Sequence, residues 1–232
     1  MSEPANASHE ARLVKEAIRV YRRYAVEIVE GLTFCPYAEK ARHDGVTHEL
    51  VITEAAPTDE TVLDVIEAVT EDETVDIGLL ILPRLEITQL NLGPWVEVLR
   101  KKHQGMRGVT VLAIEGFHPI AEADISAPER LTPFVRRTPD PTLQLTRLSS
   151  LEAVRRGTQT GTGFVDPTTV DLMELLKRPV KRPLHARIAE ANLASVKRLG
   201  VPEVERRLRD ILRDRDESYA RIDPNIKPRL VG

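Results

Sequence analysis

Cysteine is nearly absent: Cys35 stands alone among 232 residues. No internal disulfide can form, and a chain that folds without staples fits a reducing compartment, so a cytoplasmic location is expected. Long apolar runs are absent too. Nothing approaches the roughly 20 consecutive apolar residues that span a bilayer. The opening "MSEPANASHEAR" lacks the apolar core of a secretory signal, and no membrane partner is expected. Aromatics make up only 4% of the chain, so aliphatic side chains must fill the core. Neither sign of charge is in large excess. A formal net charge of −3 gives no electrostatic pull toward nucleic acid. CxxC and HxxxH spacings are missing, so His43 and His48 read as surface residues and no metal is expected. The stretch "GTQTGTG" (157–163) lacks the Gly-Lys-Ser/Thr ending of a phosphate loop and reads as a polar connection. No cofactor is expected.

What is present is a regular alternation of helix and strand patterns. Ile18, Tyr21, Ala25, Ile28, Val29 and Leu32 recur at helical spacing, which predicts a helix over about 11–30, with Gly31 as its stop. "THELVIT" (47–53) reads as a strand. Thr58 caps a helix over 57–69, and "IGLLILP" (77–83) has the continuous apolar character of a strand buried on both faces. A helix over about 86–103 carries Pro94, which should bend or divide it, and "GVTVLAIEGFHP" (108–119) predicts a third core strand. Residues 115–142 hold five prolines and read as a long loop. "LQLTRL" (143–148) reads as an edge strand.

This order predicts an α/β fold: a small, mostly parallel sheet of three to four strands with packed helices, plus a C-terminal helical extension. The expected organisation is a disordered N-terminus over 1–9, an α/β domain over 10–176 and a basic linker, "KRPVKRP", over 177–183. A helical segment over 184–222 should pack on the domain, with a flexible tail over 223–232. A helix capped by Asp166 should precede the linker. The final charged helix offers a surface for a homodimer.

Cys35 sits in "GLTFCPYAEKAR" (31–42), where Pro36 suits the first position of a helix. A thiol at such a start meets free backbone N–H groups that favour the thiolate, with Phe34 and Tyr37 beside it. It is equally an ordinary place for a small packing residue. The same stretch resembles the Leu-Cys-Pro-Phe-Ala signature of domain-of-unknown-function family 1415 of bacterial proteins. "FHP" (117–119) resembles that family's Phe-His-Pro element, and "RRTPDPTLQLTR" (136–147) resembles its Asn-Arg-Ser-Pro-Tyr-Pro segment with the strand that follows. Here Arg136 replaces Asn, Asp140 replaces the aromatic between the prolines, and Gln144 stands where a His is common. The resemblance implies a site at Cys35, His118, Arg137 and Arg147, and supplies no activity.

Those residue types suggest chemistry together. A thiolate nucleophile needs a proton acceptor, and His118, at the end of a core strand, is the natural one. Arg137 and Arg147 could clamp a small anionic molecule, with Tyr37 also in contact. Cys35 and His118 are thus the candidate catalytic pair for group transfer or hydrolysis, and Arg137, Arg147 and Tyr37 the candidate substrate contacts. The alternative is a non-catalytic ligand-binding protein, or a redox- or haem-sensing one, that uses Cys35. Whether the chain is an enzyme stays open at this level.

Overall fold

Caps and apolar spacing decide where the elements begin. The computed structural model describes residues 3–159 and 183–230. In chain order they form α1 (Glu3–Tyr24), a π-helical turn (Ala25–Glu30), α2 (Ala38–His43), β1 (Thr47–Val51), α3 (Asp59–Glu71), β2 (Ile77–Ile81) and α4 (Gln89–Arg107). There follow β3 (Leu112–Phe117), α5 (Pro128–Val135), β4 (Thr142–Arg147), α6 (Leu148–Gln159), α7 (Leu184–Leu199) and α8 (Val201–Ala220). Thr58 caps α3 as its sequence position predicts, its Oγ1 accepting the Thr61 N–H at 3.1 Å. Thr88 does the same for α4 through Asn91 at 3.2 Å. Pro94 does not divide α4. The carbonyl it leaves without a donor is that of Leu90, a residue 86% exposed, where water can serve instead.

The sheet is mixed rather than mostly parallel. Its order is β1-β2-β4-β3, with β1 parallel to β2 and β4 antiparallel to both of its neighbours. β1, β2 and β3 still run in one direction, as two successive strand–helix–strand units require. β4 is wedged between β2 and β3 and is a central strand, not an edge. Its alternation is the reason it reads as an edge. Leu143 and Leu145 join the apolar layer beneath α3 and α4, while Thr142, Gln144 and Thr146 pair with Ile81, Leu79 and Ile77 on the opposite face.

Helices cover both faces. Leu80, Leu82, Leu112 and Ile114 pack with Val62, Ile66, Val96 and Leu99 of α3 and α4. Gly116 makes that approach close: a Cβ there would stand 2.9 Å from Val96 Cγ2. On the other face, Leu79 and Ile81 share a core with Leu13, Val20 and Ile28, with Phe134 of α5, Val196 of α7 and Val204, Ile211 and Tyr219 of α8.

Three expectations need correction. Residues from Glu3 onward already belong to α1, because Ala-rich polar sequence with Pro4 in the first turn suits a helix start. The stretch 115–142 contains α5, hidden by Pro128 and Pro133 but carrying buried Leu131, Phe134 and Val135. The segment after Ile222 is fastened as far as Leu230: Asp216 accepts the N–H groups of Arg229 and Leu230 at 2.9 Å each. The polar connection beyond Gln159, the helix expected after Asp166 and the linker 177–183 lie outside the described residues.

One ion pair is fully enclosed. Arg215 of α8 donates through Nε and Nη2 to Asp140 Oδ1 at 3.0 and 2.8 Å, and Tyr219 Oη donates to Asp140 Oδ2 at 2.7 Å. Arg215 is 0% and Asp140 1% exposed. Burial alone would lower the guanidinium pKa, but Asp140 and Asp216 outweigh it and the net shift is upward. Burial, then Asp140, pushes the Tyr219 phenol up, so it keeps its proton and donates. Arg215→Met should cost about 3–5 kcal/mol in urea unfolding, because it strands a buried carboxylate. The triple change Arg215→Met, Asp140→Leu, Tyr219→Phe should recover most of that loss.

A buried histidine adds a pH dependence. His103 on α4 is 2% exposed, and burial pulls its pKa down, with Glu67 opposing. The folded value lies below the unfolded one of about 6.5, so the unfolded chain takes up the proton first on acidification. The stability is fully present above about pH 6.5 and is lost as pH falls below it. Urea midpoints measured from pH 7 down to 5.5 should decline, and His103→Gln should flatten that slope.

Candidate functional site

The site begins at the end of the first helix. Gly31 is not the stop: its φ of −61° is helical, and a Cβ there would stand 2.8 Å from the Glu27 carbonyl oxygen. The close winding of the π turn explains the glycine. The stop is Thr33, whose φ is +58°. Thr33 N–H donates to Glu30 O at 2.9 Å and Phe34 N–H to Val29 O at 2.8 Å, the pattern of a Schellman closure with Phe34 buried behind it. A β-branched residue holds the left-handed position that glycine or asparagine fills at low cost.

Two residues on, Cys35 is a free, half-buried thiol. It does not stand at a helix start. Its carbonyl accepts the Ala38 N–H at 3.3 Å in a turn, and α2 begins only at Ala38, after Tyr37. Tyr37 is half-buried, its carbonyl accepts the Ala41 N–H at 3.0 Å, and no side-chain hydrogen bond engages it among the described residues. Ahead of this loop in the chain, the rings of Tyr21 and Tyr24 meet edge to face at 5.7 Å, in the same core as Leu32 and Phe34.

His118 follows β3 as expected, but both ring nitrogens are engaged by backbone. Nδ1 lies 3.1 Å from the Ile120 nitrogen and 3.0 Å from its carbonyl oxygen, and Nε2 lies 2.9 Å from Ile87 O. No hydrogen bond joins His118 to Cys35. The imidazole staples the loop after β3 to the loop after β2.

The two arginines separate. Arg147 spends its guanidinium on carbonyls where α3 ends: Nε donates to Val75 O at 3.1 Å, and Nη2 to Val69 O at 3.1 Å and Asp72 O at 2.9 Å. It pairs with Leu112, whereas Thr142 at the other end of β4 pairs with Phe117. Five residue steps along β4 separate the two ends, roughly 17 Å. Arg147 closes a helix and does not reach the neighbourhood of His118.

Arg137 does reach it. Its Nε donates to Pro119 O at 3.0 Å, and its guanidinium lies 5.7 Å from the centre of the Phe134 ring. Burial lowers its pKa, with Glu205 and Tyr24 opposing and Arg209 assisting. No carboxylate forms an ion pair with it among the described residues, whereas neighbouring Arg136 pairs with Glu115 at 3.3 Å.

Tyr24 completes the arrangement, and the sequence reading passed over it as one more member of an amphipathic stripe. It is 3% exposed, and among the described residues nothing hydrogen-bonds its hydroxyl. Burial raises its pKa, with Arg136 and Arg137 opposing, so the phenol keeps its proton. Tyr24, Pro119, Arg137, Thr138 and Pro139 line a narrow cleft, open to solvent and roofed by Leu208, Ile211 and Leu212 of α8, whose inner space holds roughly one water molecule. Only an unpaired phenol at the helix end, beside a cysteine, could have flagged it. Among the described residues, no cluster of His, Cys, Asp or Glu could hold a metal, and no helix is long and apolar enough to cross a membrane.

Fold and site together define an α/β protein with a mixed four-stranded sheet and a small cationic cleft where β3 ends and β4 begins. Sequence comparison is more specific: the family described as "Protein of unknown function (DUF1415)" matches residues 16–170, and the chain belongs to that family. No curated protein and no solved structure matches the chain.

The strain at Thr33 is measurable. Thr33→Gly should stabilise the fold by about 1 kcal/mol in urea unfolding, since it relieves the left-handed backbone. A loss of stability would show that the threonine makes a compensating contact.

Proposed function

We propose that the chain binds a small anionic molecule in the cleft between Tyr24 and Arg137, and that Cys35 is a neighbouring thiol rather than half of a catalytic dyad. The observation that carries this reading is Arg137: a partly buried cation, fixed by Pro119 O and Phe134, with no carboxylate partner among the described residues. A half-buried cation without a counter-charge, with donors left over on its Nη groups, attracts an anion to the mouth of the cleft. Tyr24 adds a second donor at the same place. The Tyr24 hydroxyl and the Nη groups of Arg137 have no protein acceptor among the described residues, and an anion would serve both.

The rival is a cysteine-dependent transferase or hydrolase. Thr33, strained beside the thiol, favours some functional demand on this loop. A proton acceptor for Cys35 is the missing part. His118 would have to give up the backbone bond at its accepting nitrogen to act as one. The binding reading needs no such rearrangement.

The chain's only thiol makes the test clean. Iodoacetamide should label Cys35 in the folded protein, and a saturating small anion should slow that labelling by about tenfold if, once bound, it also covers the Cys35 loop. Arg137→Gln should remove the protection and leave the fold intact by circular dichroism. Protection that survives Arg137→Gln would move the binding site elsewhere. Catalysis would be indicated instead by a covalent acyl adduct on Cys35 after exposure to thioesters.

A further inference from the structure

We infer that a groove between α1 and α8 is a second ligand site, separate from the Tyr24–Arg137 cleft, and that it takes the phosphate group of a small phosphomonoester. The groove is open to solvent and has a volume of about 230 Å³. Arg12, Lys15 and Glu16 of α1 line one side; Ser218 of α8, with Arg221 and Ile222 just beyond it, lines the other. Helical spacing explains the first side, since Lys15 and Glu16 follow Arg12 by three and four residues and so share its face.

Ion pairing along α1 singles this face out. Arg19 is matched by Glu16 and Asp214 at 2.7 and 2.8 Å, Arg22 by Glu49 at 2.8 Å, and Arg23 by Glu27 and Asp214 at 2.8 and 2.9 Å. Arg12 and Lys15, also on α1, form no ion pair among the described residues, and both line the groove. Glu16, the carboxylate of the lining, is already engaged by Arg19. Arg221 reaches Glu217 only at 3.7 Å, between side chains 73% and 59% exposed. Such a contact is weak. Cations therefore converge from both sides on a space whose acid is occupied elsewhere.

A phosphate answers this arrangement better than a carboxylate. A phosphomonoester carries close to two negative charges at neutral pH and offers three strong acceptor oxygens. The planar forks of Arg12 and Arg221 can each take two of those oxygens, and the Lys15 ammonium adds a point charge. One carboxylate would leave cations unanswered. The floor is of another kind. Ile222 is 6% exposed, and the Ser218 hydroxyl already donates to Arg215 O at 3.1 Å. Ile222 gives apolar cover to the carbon side of an ester, and the groove has room for a few carbons beyond the phosphate.

The test uses the full chain. Sodium glycerol 3-phosphate and sodium acetate are titrated at ionic strength matched with chloride, and NMR follows the amides of Ser218 and Ile222. Glycerol 3-phosphate should bind saturably, at least about tenfold more tightly than acetate. The double variant Arg12→Gln, Lys15→Gln alters two exposed side chains, so it should keep the wild-type circular dichroism while weakening that binding at least about tenfold. Arg137→Gln should leave it unchanged, which separates the groove from the cleft. A free ligand predicts no sedimentation with phosphatidic acid vesicles; sedimentation that the double variant abolishes would assign the same phosphate chemistry to a lipid headgroup. Equal affinity for acetate would overturn the phosphate class. Binding that survives the double variant, is lost only in Arg137→Gln, or is absent altogether would overturn the site.

Discussion

The Arg215–Asp140 pair is the contact on which the candidate site depends. Asp140 lies in the segment joining α5 to β4, the one that carries Arg137. Its carboxylate is held from α8 by Arg215 and Tyr219, and its carbonyl by the hydroxyls of Thr138 and Thr142 at 2.6 and 2.9 Å. Arg215 also donates to Pro83 O and Lys227 O at 2.9 and 2.8 Å. One guanidinium therefore fixes the end of β2, the start of β4 and the terminal strap together. A buried pair of this kind adds little net stability over an apolar replacement, but it tolerates few alternative arrangements. Its contribution is to geometry. Arg137, three residues upstream, inherits a fixed backbone.

That dependence crosses the edge of the family match. Asp140 lies inside the matched span of 16–170, and Arg215 lies outside it. The aspartate between two prolines departs from the aromatic that the family resemblance leads one to expect there. An aspartate at a 1% exposed position would be intolerable alone, and α8 supplies what makes it tolerable. The helix that neutralises Asp140 also supplies Leu208, Ile211 and Leu212 to the cleft. The family segment and the C-terminal helix thus build one site between them.

Much of the frame was legible because it is local. Thr58 announces α3, and the apolar run 77–83 announces β2, through capping and burial patterns that need no tertiary knowledge. The place of β4 was not legible. Alternation in "TLQLTR" is the mark of a strand with one polar face, and nothing in six residues tells whether its neighbours lie on one side or both. α5 was masked by prolines at positions where a short helix bears them. At the site, the motifs pick out segments but say nothing of what each side chain touches. Arg147 and Arg137 look alike in sequence; only tertiary structure shows one spending its donors on the carbonyls of α3 and the other left without an acid. The Cys35–His118 pairing failed for a similar reason. A histidine ahead of a proline at a strand end finds backbone carbonyls close by, and these claimed the imidazole first.

The loss of that pairing changes what the strained Thr33 implies. Had His118 faced the thiol, strain at Thr33 would be read as the means of aiming Cys35 for attack. With His118 engaged, the left-handed turn has a plainer consequence. It ends a helix whose last regular residue is Tyr24 and whose π turn rotates the following chain by one extra residue per turn. π turns inside helices concentrate at functional sites because they reorient side chains that a regular helix would keep in register. The extra residue and the reversal at Thr33 fold Leu32 and Phe34 into the core that holds Tyr21 and Tyr24. The strain at Thr33 is thus set against the burial of that apolar cluster.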